Sequence, residues 1–177
     1  MAIQRIRQLG DPVLREVSRE VSRGVSQALS GEVASTRETM VDLRDTLHEF
    51  QRTNGFGRGI SAVQIGVAER LIYIEFEGRC YCIGDPVFEF VSEEKFRLWD
   101  DCFSFPDLLV WLERAVRVRV RYVDENGASR MLEAEGPLSE LLQHEMDHLN
   151  GVLAVDRAID RQSLMTRAEW ERSKKSA

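Results

Sequence analysis

The strongest constraint on this 177-residue chain is the run Gly136 to Gly151, GPLSELLQHEMDHLNG, which holds two of its three histidines. His144 and His148 stand four residues apart, so on a helix they share one face, about a turn from each other, and both imidazoles can reach one metal ion. Glu145 follows the first of them and brings a carboxylate to the same place. Helix signals frame the run: Gly136 before Pro137 suits a proline at the first helical position, and Asn150-Gly151 is a C-terminal stop. Leu138, Leu141, Leu142 and Leu149 give the helix a face to bury. A helix with His, Glu and His in this order binds a divalent metal and keeps a carboxylate beside it for moving protons.

A chain of this length with 43% hydrophobic residues can build a real core, and a single domain over residues 1–177 is expected. The formal net charge of -6 argues against a general nucleic-acid binder, so no DNA partner is expected. No stretch resembles an export signal, and no apolar run approaches the roughly 20 residues needed to cross a bilayer. The expectation is a cytoplasmic protein with no membrane partner. Three cysteines, an odd number in such a chain, argue against a disulfide framework. Cys102, in the tight loop DDCFSFP, is free for other chemistry.

Along the chain, Ser18 to Ser30 is polar and reads as loop. Val33, Met40, Val41, Leu43, Leu47 and Phe50 then recur at helical spacing, which predicts an amphipathic helix closed by Asn54-Gly55. His48, within it, reads as a solvated or locally bonded side chain. Gly55, Gly57 and Gly59 leave the following backbone free to approach a ligand closely. They do not form a phosphate cradle, because they follow a helix and precede a strand. Leu71 to Phe76, Arg79 to Ile83 and Val87 to Val91 read as short strands, with a hairpin at Glu77-Gly78 and a break at Gly84-Asp85-Pro86. Ala115 to Val123 alternates valines with Arg117, Arg119 and Arg121, a strand with one wet face, and Ser129 to Ala134 pairs back onto it. From about Asp160 to the end, a polar tail with Arg167, Arg172, Lys174 and Lys175 reads as a helix. The order predicts an α+β fold: antiparallel sheets packed around a central metal-bearing helix, with an N-terminal and a C-terminal helix.

Two histidines are only part of a metal site. A longer zinc-protease pattern would place a further histidine where this chain has Ala154. Asp156, Asp160 and Glu169 follow, but none lies in an apolar helical pattern that would carry it inward. That leaves Cys102, upstream.

Three blocks together resemble the peptide deformylases. Gly57-Arg58-Gly59-Ile60-Ser61-Ala62-Val63-Gln64-Ile65-Gly66 looks like Gly-x-Gly-x-Ala-Ala-Pro-Gln-x-Gly, Asp100-Asp101-Cys102-Phe103-Ser104 looks like Glu-Gly-Cys-Leu-Ser, and Gln143 to His148 matches Gln-His-Glu-x-Asp-His. The resemblance implies one divalent metal held by Cys102, His144 and His148. Fe(II) is the expected physiological ion, and Zn(II), Ni(II) or Co(II) suit the same donors. It further implies Glu145 as general base, with the Gln64 amide and the Phe103 N–H stabilising the oxyanion formed in hydrolysis of a formamide. The implied substrate is an N-formylmethionyl peptide, with Gly57, Gly59, Asp101 and Arg114 as substrate-binding candidates, Arg114 alternatively supporting the cysteine loop, and a transient ribosome contact through the C-terminal helix as a further partner.

The chain departs from the pattern at three positions. Val63 replaces a proline. Ser61 replaces an alanine and adds a hydroxyl that needs a partner. Asp101 replaces a glycine before the cysteine, which costs on the order of 1 kcal/mol if that position needs a positive φ, and puts a carboxylate near the peptide's route. These departures leave two other readings open: a hydrolase of another formylated small molecule or amide, and a non-catalytic metal-binding relative.

Overall fold

The computed structural model describes residues 3–21 and 32–175, so most of the loop expected over Ser18 to Ser30 lies outside the described residues. Helices α1 (Glu32–Asn54), α2 (Pro137–Leu149) and α3 (Arg167–Lys175) accompany two antiparallel sheets. The larger runs in the order β1 (Gly59–Ser61), β2 (Leu71–Phe76), β3 (Arg79–Val91), β6 (Arg117–Val123), β7 (Ser129–Glu135). The smaller runs β4 (Lys95–Asp101), β5 (Leu108–Ala115), β8 (Leu164–Thr166). The α+β expectation holds.

Local chemistry explains most element boundaries. Glu77 and Gly78, at φ 48° and 75°, close the β2–β3 hairpin with the two left-handed residues that a tight primed turn requires. The break expected at Gly84-Asp85-Pro86 is instead a shift of register inside one strand, with Asp85 at φ 46°. β3 changes partner there, pairing with β2 up to Gly84 and with β6 beyond it, so one strand serves both neighbours with a left-handed residue at the changeover. β4 and β5 were not foreseen as strands. The C-terminal helix begins later than about Asp160, because Asp160 Oδ1 accepts from the Gln162 N–H and the Ser163 hydroxyl in a turn, and Leu164–Thr166 then pairs with β5. Arg119 and Arg121 lie on the wet sheet face paired with Glu133 and Glu89, and His48, half exposed, bonds Glu75 at 2.6 Å.

α2 is buried almost all round. Leu141, Leu142, Met146 and Leu149 pack on Ile72, Ile74, Ile83, Val118 and Val120 of the larger sheet. The polar side faces partners: the Ser139 hydroxyl donates to Ala115 O, and Gln143 accepts from Ala115 N and donates to Ala115 O, all at 2.8–3.0 Å. A buried polar stripe is tolerable only when each group is matched in this way. Cys102 sits in a different cluster, with Leu14, Phe105, Val110, Leu112 and Leu153.

The helix stop is locked by the N-terminal arm. Gly151 has φ 70°, and a Cβ there would stand 2.5 Å from Arg15 O, while Ser18 N donates to Leu149 O at 2.9 Å. Gly151→Ala therefore meets both a left-handed backbone and a backbone clash. The expected loss of stability is more than about 1 kcal/mol, read as a lower denaturant midpoint with an unchanged slope.

Candidate active site

One face of α2 carries His144 and His148 toward the loop after β4, and there they meet Cys102. The three ligand-type atoms lie within 4.8 Å of one another, on residues exposed by 2% (Cys102), 6% (His144) and 1% (His148). His148 Nε2 is 3.2 Å from Cys102 Sγ, and its Nδ1 has no hydrogen-bond partner among the described residues. His144 Nδ1 bonds the Asp100 carboxylate at 2.9 Å, which leaves Nε2 for the centre of the cluster. Ser104 N and Gln64 Nε2 point at the sulfur, at 3.4 and 3.6 Å, an arrangement that suits a thiolate. A buried thiolate with two imidazoles, one already oriented by a carboxylate, fits one divalent transition metal.

Behind the cluster lies a network of charges, buried at Arg114 and Asp100 and half exposed at Arg157. Arg114, 3% exposed, reaches Asp100 at 3.0 Å and Asp147 at 2.6 Å, and Arg157 closes on Asp147 at 2.7 Å. Burial alone would raise the Asp100 pKa, but His144 and Arg114 overcome it and bring it down to about 2. Burial likewise works against a charged His144, yet Asp100 draws its pKa well above the ordinary value. His148 is held well below the ordinary value by burial and by the neighbouring His144.

Glu145 sits beside the cluster. Its carboxylate accepts from the Ser61 hydroxyl, which also lies 3.1 Å from the Glu145 carbonyl, so the hydroxyl that replaces alanine finds its partner in this side chain. Burial pushes the Glu145 carboxyl up, while His144 and Ser61 oppose the rise. Gln64 is fixed at both ends, its Oε1 accepting from Ser61 N at 2.9 Å and its Nε2 donating toward Cys102 Sγ and, at 3.3 Å, Ser104 Oγ. Gly59 is needed for closeness: a Cβ there would stand 3.0 Å from Glu145 Oε1. The Phe103 ring stacks on Phe50 with centroids 3.9 Å apart, and its N–H makes no hydrogen bond among the described residues.

These groups open onto a cleft of about 350 Å³. Gln64, Cys102, Phe103, His144 and Glu145 line it, as do Gly57, Gly59 and Asp101. Arg114 does not: it is buried behind Asp100 and Asp147, so its placement among substrate-binding candidates is corrected to a supporting position. Asp101 needs no left-handed backbone, since it ends strand β4, and Glu77 and Asp85 are the non-glycine residues with positive φ among those described. Its carboxylate bonds Arg167 at 2.6 Å, and the Arg167 guanidinium also covers Phe56, 4.1 Å from the ring centroid. Two residues of the cleft region had no role assigned from sequence. Asp100 was legible only as a motif position. Arg58, an exposed-looking charge in a glycine loop, crosses to Glu140 at 2.7 Å.

Fold and site together define an α+β hydrolase built around an HExxH helix. Residues 3–163 match the Polypeptide deformylase family. A peptide deformylase of Rhizobium meliloti (strain 1021) is 35% identical over 161 residues, covering 88% of this chain and 85% of that protein. The crystal structure of peptide deformylase from Thermotoga maritima superposes with a TM-score of 0.79 at 28% identity, covering 90% of this chain and 100% of that one. A peptide deformylase from Synechococcus elongatus in complex with actinonin gives a TM-score of 0.76 at 34% identity, over 90% of this chain and 81% of that one. The chain belongs to the polypeptide deformylase family, whose enzymes hydrolyse the amide bond of formylated peptides.

The Asp100 contact predicts a measurable role. Asp100→Asn keeps the shape but weakens the hold on the His144 N–H, and metal retention against a competing chelator should fall by roughly 10–100-fold.

Proposed function

We propose that this chain removes the formyl group from N-formylmethionyl peptides, using one divalent metal held by Cys102, His144 and His148, Fe(II) in the cell. The observation that carries this reading is the convergence of that donor set with Glu145 and Gln64 in one cleft. When bound, the metal supplies Lewis acidity that makes water acidic and polarises a carbonyl. Glu145 takes the proton of the attacking water and hands it to the leaving amine, a role suited to a buried carboxyl held in place by Ser61. Gln64 Nε2 and the Phe103 N–H stabilise the oxygen of the former formyl carbonyl as it gains charge, and Gln64 can do so because its orientation is set by Ser61 N. Gly59 lets the peptide main chain pass close to the base, and Gly57, where a Cβ would stand 2.5 Å from the Phe103 ring, lets the same loop close over that ring. Formate and a free N-terminal amine leave.

Residues 1–177 act as one domain in this reading, and the exposed basic end of α3, with Arg172, Lys174 and Lys175, is the surface for a transient ribosome contact. Among the described residues no helix is long and apolar enough to cross a membrane.

Anaerobically purified protein should release formate from formyl-Met-Ala-Ser, and Glu145→Ala should lower kcat by about 10²–10⁴-fold without loss of bound metal. Stoichiometric metal with no formate from any formylated peptide would refute the activity. Stripping the metal with a chelator should abolish release, and adding Fe(II), Co(II) or Ni(II) back should restore it.

A further inference from the structure

The walls of the cleft carry more ionised groups than a methionine side chain calls for. Beside the hydrolytic groups, Arg58, Asp101 and Glu140 all line it. Arg58 Nη2 holds Glu140 Oε2 at 2.7 Å, its Nη1 donates to Pro137 O at 3.2 Å, and the Glu140 side chain is only 4% exposed. Asp101 uses Oδ2 for Arg167, while Asp101 Oδ1 and Glu140 Oε1 carry no hydrogen bond among the described residues. A guanidinium and two carboxylates with unused acceptor oxygens therefore face the space next to the reacting centre.

A thioether placed there strips water from these groups and returns no hydrogen bond, whereas a side chain bearing both a donor and an acceptor answers the carboxylates and the guanidinium together. A site with polar groups that need partners discriminates strongly against an isostere lacking them. We propose that Arg58, Glu140 and Asp101 are specificity-determining residues that make this enzyme favour formylated peptides whose first side chain is polar and hydrogen-bonding, of about methionine's length, over those that begin with methionine. This inference rests on the deformylase reading and changes the side chain it favours.

Glutamine is the closest polar match to methionine in length, so formyl-Gln-Ala-Ser and formyl-Met-Ala-Ser are the probes. Wild-type protein should show a kcat/KM for the glutamine peptide higher by on the order of tenfold or more, and calorimetry on Glu145→Gln should give the same order of binding. The double variant Arg58→Leu/Glu140→Leu removes both partners together, so no lone buried charge remains. It should reverse the preference toward formyl-Met-Ala-Ser through KM more than kcat. Equal or better use of the methionine peptide by wild type, with equal binding of the two peptides, overturns the proposal. If wild type releases no formate from either peptide, the deformylase reading fails on its own, and the order of binding still decides the selectivity.

Discussion

Arg114, shut away between Asp100 and Asp147, is the interaction on which the rest of the site depends. It belongs to β5, Asp100 to β4 and Asp147 to α2, so one guanidinium joins the smaller sheet to the central helix. Breaking a buried pair of this kind by removing one partner leaves an uncompensated charge, a loss of about 3–5 kcal/mol. Its geometric effect is more specific than its energy. Asp100 is two residues from Cys102, and Asp147 is next to His148, so the network fixes the distance between the cysteine loop and the helix. Asp100 also sets the tautomer and ring plane of His144. The charges that hold the elements together thus also aim the donor atoms.

The central helix was legible because its signals are local. His144, Glu145, His148, Pro137 and Gly151 lie within one short run and need only helical periodicity to interpret. The strand Lys95–Asp101 also carried its alternation in plain sight, with Phe96, Leu98 and Asp100 on one side. It is hard to read because Trp99 breaks the polar side, Asp100 puts a charge on the apolar side, and only Asp100 is buried. Asp100 with His144, Arg58 with Glu140 and Ser61 with Glu145 are separated by 44, 82 and 84 residues. No periodicity reports such pairs. Arg114 shows the same limit from the other side: next to the cysteine block it suits either support of that loop or substrate, and only the fold decides for support.

The departures from the family pattern are not alike in consequence. Val63 is fully buried in the core, where it packs as an ordinary apolar residue. Ser61 is coupled to the base itself, and through its N–H to Gln64, so one residue orients both sides of the reacting group. Asp101 changes the rim: it ties the start of α3 to the cysteine loop through Arg167, which lies over Phe56 at the same edge.

Gln143 adds a mechanical consequence. By accepting from Ala115 N with its Oε1 and donating its Nε2 to Ala115 O, it stands in for a neighbouring strand at the point where β5 ends and the chain turns toward β6. The end of the smaller sheet is therefore laced to the central helix by bonds of the kind a paired strand would make. Gln143 thereby binds the turn between β5 and β6 to the same helix that carries His144 and His148, one residue before the first of them.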